Sequence, residues 1–142
     1  MDRERVLIVG VGNPCRRDDG LAWYVVNEWR TRTGQPLLGQ WDDGLDELGQ
    51  EIDSVFLPQL APELAALASQ YEMLIIVDAR VGGADGVKAD PITDQPEREP
   101  HLLTHELLPE QLVSLARVVY GHAPRAWLMS ARGYDFDFGP ER

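Results

Sequence analysis

Two uninterrupted aliphatic runs do the most to limit what this chain can fold into. The runs are "RVLIVGVG" at 5–12 and "MLIIVDA" at 73–79. Each is too short for a buried helix, rich in β-branched residues and bounded by turn residues, which is typical of a strand buried on both faces. A stretch with helical spacing follows the first run, and strands and helices alternate along the chain. This alternation predicts an α/β fold, a single three-layer domain with a mostly parallel central sheet over residues 1–142.

The remaining elements are assigned from local signals. Leu21, Tyr24, Val25 and Trp29 fall at helical spacing, and Gly34 stops that helix. Residues 34–54 are predicted to be a loop with one helical turn. Two further helices are predicted in "APELAALASQY" and in "THELLPEQLVSLARVVYG", where Thr104 is the expected N-cap. Further strands are predicted in "SVFL", in "VGGADGVKADPI" after a turn, and in "AWLMSAR" at 126–132.

Composition excludes several classes of function. The formal net charge is −11, which disfavours nucleic acid and anionic membrane surfaces as partners. No apolar stretch approaches the roughly 20 residues of a membrane span. Cys15 is the only cysteine, so no disulfide can form within the chain. We expect a cytoplasmic protein.

The stretch "VGVGNPCRRDDG" at 9–20 has the first half of a dinucleotide-binding fingerprint. Gly10 and Gly12 match its first two glycines, but Cys15 occupies the position of the third. The two aspartates that follow would repel a pyrophosphate. A nucleotide-binding domain is therefore the weaker interpretation of this loop.

A metal site is the alternative. Loops at the carboxyl ends of parallel strands converge, and Asp18 and Asp19 follow the first strand while Asp78 ends another. His105 is expected to begin the last helix. Two carboxylates and an imidazole would form an open divalent-metal site. Spacing alone equally allows Asp19 to be a helix cap, Asp78 a solvated strand end and His105 an ordinary helix residue.

Three blocks of the chain resemble the hydrogenase maturation endopeptidases. "VLIVGVGNPCRRDDGLAWYVV" is similar to the family's first strand, Gly-x-Gly-Asn turn and acidic pair. "LIIVDA" resembles its second acidic strand end, and "THELLPEQLVSLARVVYG" its histidine-led helix. The three blocks occur in the family's order and span nearly the whole chain.

The resemblance implies a twisted central sheet flanked by helices. It also implies an endopeptidase that removes the C-terminal extension of a nickel–iron hydrogenase large-subunit precursor after nickel insertion. The precursor carries the nickel, which serves in recognition, and another divalent metal could replace it in vitro. The family's site residues fall on Asp19, Asp78 and His105, with Asp19 and Asp78 also catalytic. Gly12, Asn13 and Gln59 are expected to contact the substrate.

The chain departs from the family's pattern at three places. Pro58 stands where one branch of the family has histidine, the stretch between Gly34 and Asp53 is longer, and the final helix of the relatives is expected to be missing. These departures keep open a homologue that binds the precursor without cutting it.

Overall fold

The computed structural model describes residues 4–12, 21–39, 42–81, 87–93 and 107–133. The strands are β1 (Val6–Val11), β2 (Ile52–Leu57), β3 (Met73–Val81), β4 (Val87–Ile92) and β5 (Arg125–Gly133). The helices in these ranges are α1 (Leu21–Arg32), α2 (Leu64–Ala68) and α3 (Pro109–Tyr120), with one 3₁₀ turn at Leu45–Glu47. Every strand and helix that the sequence predicts is therefore found, although several bounds differ.

The five strands form one sheet in the order β2-β1-β3-β5-β4. Strands β2, β1, β3 and β5 run parallel to one another. Strand β4 is an outermost strand of the sheet and lies antiparallel to β5. The predicted mostly parallel sheet is confirmed. As a result, the carboxyl ends of four strands lie along one edge of the sheet, which we call the carboxyl edge, and their first residues lie along the amino edge.

Helices cover the sheet on both faces, which confirms the three-layer prediction. Helix α1 packs on β1, β2 and β3. The buried residues on this face are Ala22, Val26, Leu38 and Phe56. Helices α2 and α3 pack against each other over the opposite face. The larger core there includes Leu7, Val9, Val55, Leu64, Leu74, Ile76, Leu112 and Ala116.

The buried side of α1 is not the side that the sequence pattern indicates. Tyr24 and Val25 are exposed, whereas Ala22, Val26 and Arg30 are buried. The reason is a close approach of helix and strand at Gly10, where an added Cβ would lie 2.8 Å from Cγ2 of Val26. A close interface of this kind selects small and medium side chains rather than large ones.

Arg30 is buried because the loop after α1 provides acceptors for its guanidinium. Its Nε donates to the Ser54 hydroxyl (3.0 Å), and its Nη2 donates to the Ser54 carbonyl (2.8 Å). Its Nη1 donates to the carbonyl of Pro36 (2.8 Å) and to Glu47 (3.3 Å). A single side chain therefore fastens the loop to β2.

A second buried polar cluster lies at the amino edge around Asp53. This carboxylate accepts hydrogen bonds from the Tyr71 hydroxyl (2.5 Å), from Arg5 (3.2 Å) and from the amides of Gly49 and Gln50. The Arg5 guanidinium also lies 4.5 Å from the centre of the Tyr71 ring. Burial, reinforced by the hydrogen bond to Asp53, raises the pKa of the Tyr71 phenol.

The start of α3 differs from the prediction. The helix begins at Pro109, not after Thr104, and Leu108 precedes it in an extended conformation with φ −74° and ψ 150°. Proline suits the first helical position because its φ is fixed and its missing amide would have no partner there, and it keeps the preceding residue extended. The predicted stop at Gly121 is confirmed, with φ 79°.

Part of the apolar surface of β5 is uncovered. Trp127 and Met129 of β5 are partly exposed (40% and 36%). They alternate with Ala126 and Leu128, which belong to the core beneath α2 and α3, so they lie on the α1 face of the sheet.

Among the helices described, none is both long and apolar enough to traverse a lipid bilayer.

Candidate functional site

The strand register brings the ends of β1, β3 and β5 side by side. Val11 of β1 pairs with Asp78 of β3, and Asp78 pairs in turn with Ser130 of β5. Neighbouring strands in a sheet lie about 4.8 Å apart, and paired side chains in a parallel sheet project from the same face. The carboxyl edge therefore carries a carboxylate and a hydroxyl in adjacent positions.

Asp78 is half-buried and lies on the sheet face covered by α2 and α3. This follows from the alternation along β3, because Leu74 and Ile76 on the same face belong to the core beneath those helices. The sequence predicts Asp78 at the end of the strand, but β3 continues to Val81. Backbone pairing on both sides of Asp78 thus fixes its position more firmly than a strand end would.

Gly12 marks the point at which the chain leaves β1. Its amide donates to the carbonyl of Leu57 (3.1 Å), and its φ of 153° is one that favours glycine. Gly10, by contrast, lies within the strand, beneath Val26 of α1. The glycine of the motif that allows close helix packing is therefore Gly10, whereas a dinucleotide fold uses its third glycine for that purpose.

Gln59 lies just beyond the end of β2 and is exposed. It borders a cavity of about 350 Å³ between β2, the 3₁₀ turn and α2. The cavity wall is mostly aliphatic; its members are Leu45, Leu57, Pro58, Gln59, Ala61, Glu63, Leu64 and Leu67. An apolar groove of this kind, with one amide at its rim, can receive an extended peptide with apolar side chains.

Three of the predicted site residues, Asn13, Asp19 and His105, lie outside the described residues. The chain that carries His105 joins the described part at Leu107, whose amide donates to the carbonyl of Leu60 (3.5 Å). Because α3 begins at Pro109, the prediction that His105 begins this helix is wrong.

Of the three predicted metal ligands, Asp78 is therefore the one that lies within the described residues. In the described parts of the chain, no group of three or more histidine, cysteine, aspartate or glutamate side chains could hold a metal ion. The ligand set Asp19, Asp78 and His105 stays a prediction.

Ser130 is a polar residue of this edge that the sequence interpretation missed. It is buried, with 6% of its surface exposed. The signal was present in the alternation along β5, since Leu128 and Ser130 must share a face. What the sequence could not supply is the order of the strands, which makes β5 the neighbour of β3.

Comparison by sequence alone finds no relative of this chain. No protein family model matches it. No curated protein matches it either.

Comparison of structures gives several matches that cover nearly the whole chain. The hydrogenase maturating endopeptidase HybD from E. coli has a TM-score of 0.60 and 19% identity, over 96% of this chain and 79% of its own. The NiFe hydrogenase maturation protease HycI from Thermococcus kodakarensis has a TM-score of 0.57 and 16% identity, over 96% and 79%. The hydrogenase 2 maturation peptidase from a Thaumarchaeota archaeon has a TM-score of 0.59 and 20% identity, over 97% and 85%. The chain thus has the fold of the hydrogenase maturation endopeptidases, as its resemblance implies.

Proposed function

We propose that this chain is a cytoplasmic endopeptidase that removes the C-terminal extension of a nickel–iron hydrogenase large-subunit precursor after nickel insertion. The observation that carries the proposal is the structural match, which covers 96% of the chain. The sequence blocks that resemble the family coincide with β1 and α1, with β3 and with α3.

The arrangement of the described residues supports a site at the carboxyl edge. Asp78 pairs with Val11, and Gly12, the next residue, marks the exit of the chain that leads to Asp19. The chain that leads from His105 reaches Leu107 beside Leu60, just beyond β2. Gly12, Asp78 and Leu107 are thus described residues from which a site at this edge could be built, and ligands of parallel α/β sheets bind at such an edge.

In the proposed site, Asp19, Asp78 and His105 bind the nickel that the precursor already holds. Two carboxylates and one imidazole suit a divalent ion and leave coordination positions for the precursor's own ligands. Bound nickel can polarise the scissile carbonyl or activate a water molecule, or it can serve only to position the peptide. The proposal includes no serine or cysteine nucleophile.

The groove beside Gln59 gives the proposed substrate a path away from this edge. We assign to Gln59 a hydrogen bond to the backbone of the extension, and to Leu57, Leu64 and Leu67 the contacts with its apolar side chains. Gly12 and Asn13 would contact the peptide from the other side of β2, where β1 ends.

Cleavage of a purified precursor tests this proposal. The wild-type chain is incubated with nickel-loaded and with nickel-free large-subunit precursor, and the precursor mass is measured. We expect loss of the C-terminal extension from the nickel-loaded precursor only. Complex formation without any loss of mass would instead indicate a homologue that binds but does not cut, and cleavage of both precursors would remove nickel from the recognition step.

A further inference from the structure

The groove beside Gln59 lies on the same face of the sheet as Asp78. Leu57, the last residue of β2, forms part of its wall and pairs with Val11, which pairs in turn with Asp78. Leu57 and Val11 both pack against the core beneath α2 and α3, and Asp78 lies on that face. Because neighbouring strands are about 4.8 Å apart, the groove opens about 10 Å from Asp78.

The distance between Leu57 and Asp78 indicates which residue of a bound peptide reaches the groove. An extended chain advances about 3.3 Å per residue, so about three residues cover it. The groove volume of about 350 Å³ is more than twice the roughly 150 Å³ that holds benzene in an apolar protein cavity. The groove can therefore receive a large apolar side chain at about the third residue of the extension.

Leu45 is an exposed part of the groove wall that the chain holds in place. It is 41% exposed, and its amide donates to the Asp43 carboxylate (2.9 Å). Gly44, the residue before it, has a φ of 85° and lies against Arg30, where an added Cβ would be 2.8 Å from Nη2. Arg30 also pairs with Glu47 (3.3 Å), which ends the 3₁₀ turn. An exposed leucine held in this way suits a preformed binding wall.

The charge at the groove is negative. Among the described residues that line it, the one that carries a charge is Glu63, which is exposed and directly precedes α2. Asp46, also exposed, follows Leu45 in the 3₁₀ turn. The net charge of −11 likewise favours a cationic partner over an anionic one. A peptide with a basic residue beside an apolar one therefore complements this groove.

We propose that the groove binds the extension at about its third residue, where an apolar side chain packs against Leu45 and Leu67 and Glu63 pairs with an adjacent basic side chain. This inference rests on the proposed function, since it takes the occupant to be the C-terminal extension of the precursor. The apolar contact supplies most of the affinity, because an exposed ion pair contributes little. Glu63 instead selects among extensions that are otherwise alike.

Binding of capped peptides to the full chain tests this chemistry without cleavage. The probes are Ala-Ala-Leu-Arg-Ala-Ala and two relatives, one with glutamate for arginine and one with asparagine for leucine. NMR titration of the isotope-labelled chain gives each Kd and locates the amides that shift. We expect arginine to be preferred over glutamate about three- to tenfold at low salt, and leucine over asparagine about tenfold.

Two pairs of variants localise these preferences. Glu63→Lys should reverse the preference for arginine, whereas Glu28→Lys, the same change at an exposed position of α1, should keep it. Leu45→Ser should weaken binding of the arginine peptide about three- to tenfold, whereas Leu37→Ser, at a 60% exposed leucine outside the groove, should not. Equal Kd values for the three peptides, or groove amides that shift with protein concentration alone, would overturn the inference. The second outcome would show a second copy of the chain in the groove.

Cleavage tests the position along the substrate. In the nickel-loaded precursor, residues at the start of the extension are replaced by aspartate one at a time, and KM is measured. We expect the largest rise, about tenfold, at the third residue or a direct neighbour, and Leu45→Ser should remove most of this position dependence. A uniform effect along the extension would overturn the inference. Failure of the wild-type chain to cut any nickel-loaded precursor, with peptide binding retained, overturns the proposed function instead.

Discussion

The two edges of the sheet carry their polar residues in different arrangements. At the amino edge, Asp53 accepts hydrogen bonds from Tyr71, from Arg5 and from the amides of Gly49 and Gln50. Each of these donors belongs to a segment that enters or leaves a strand. The cluster ties the chain before β1, β2 and β3 to one carboxylate.

At the carboxyl edge, the polar residues described lie on separate strands or beside a groove. Ser130 lies within β5, and Gln59 is exposed at the rim of an apolar groove. Asp78 lies between them in a fixed backbone position.

In this fold, residues that stabilise the chain and residues proposed to bind substrate lie at opposite edges of the sheet. A buried carboxylate whose partners come from several segments of the chain contributes to folding, whereas a polar residue beside a groove is a candidate for binding a ligand. Substitutions at the two edges should therefore affect different measurements, and the following predictions test that separation.

The largest effect on activity is expected for Asp78→Ala. Loss of a carboxylate that binds the metal should lower kcat/KM for the nickel-loaded precursor on the order of a thousandfold or more, with Tm close to wild type. Asp90→Ala is the matched control, since it removes a partly exposed carboxylate from the same face of the sheet and should leave cleavage nearly unchanged. Normal cleavage by Asp78→Ala would contradict the assignment of the site.

The largest effect on stability is expected for Asp53→Ala. Removal of this buried carboxylate leaves Arg5, Tyr71 and two amides without their acceptor, so the free energy of unfolding should fall by about 3–5 kcal/mol. Urea unfolding measures this change, and Asp53→Asn, which keeps one acceptor oxygen, should lose less. At a temperature where the variant stays folded, its kcat/KM should match wild type, because Asp53 lies roughly 13 Å along β2 from Leu57. A large loss of activity in the folded variant would contradict the assignment of Asp53 to stability rather than to activity.

A smaller loss of stability is expected for Tyr71→Phe, and it should depend on pH. Losing the hydrogen bond to Asp53 should lower the free energy of unfolding by about 1.5–3 kcal/mol at pH 7. In the wild type, the pKa of Tyr71 is raised above the ordinary value of 10.0, so the unfolded chain releases this proton before the folded chain does. The stability from this group is therefore complete below pH 10 and declines above it, by up to about 1.4 kcal/mol per pH unit.

Urea unfolding at several pH values between 8 and about 11.5 measures that decline. Tyr71→Phe should lack the part of the decline that Tyr71 contributes, while Tyr120→Phe, at an exposed position, should retain it. Parallel curves for wild type and Tyr71→Phe would show that Tyr71 does not keep its proton in the folded state.

The smallest effect on activity is expected for Gln59→Ala. Loss of one hydrogen bond to the bound extension should raise KM about threefold, with no change in Tm because the side chain is exposed. Gln70→Ala, an exposed glutamine after α2, is the matched control and should leave KM unchanged. An unchanged KM for Gln59→Ala would remove this residue from the substrate path.

Much of the fold was predictable from local patterns. Runs of aliphatic residues gave β1 and β3, and Gly34 and Gly121 marked the ends of α1 and α3, because strand burial and helix termination depend on neighbouring residues. Errors arose where packing decides. The buried side of α1 follows the close approach at Gly10, and the start of α3 follows Pro109 rather than the more distant Thr104.

The fold class, the acidic character and Asp78 as a candidate site residue could all be predicted from the sequence, because each depends on residue type and on spacing along the chain. The strand order, and with it the pairing of Asp78 with Val11 and Ser130, is found only in the folded chain. Those contacts join residues that are far apart in the chain, so no local pattern records them. The hydrogen-bond partners of Asp53 and Arg30 could not be predicted for the same reason, since other segments of the chain supply the groups that pair with a buried polar residue.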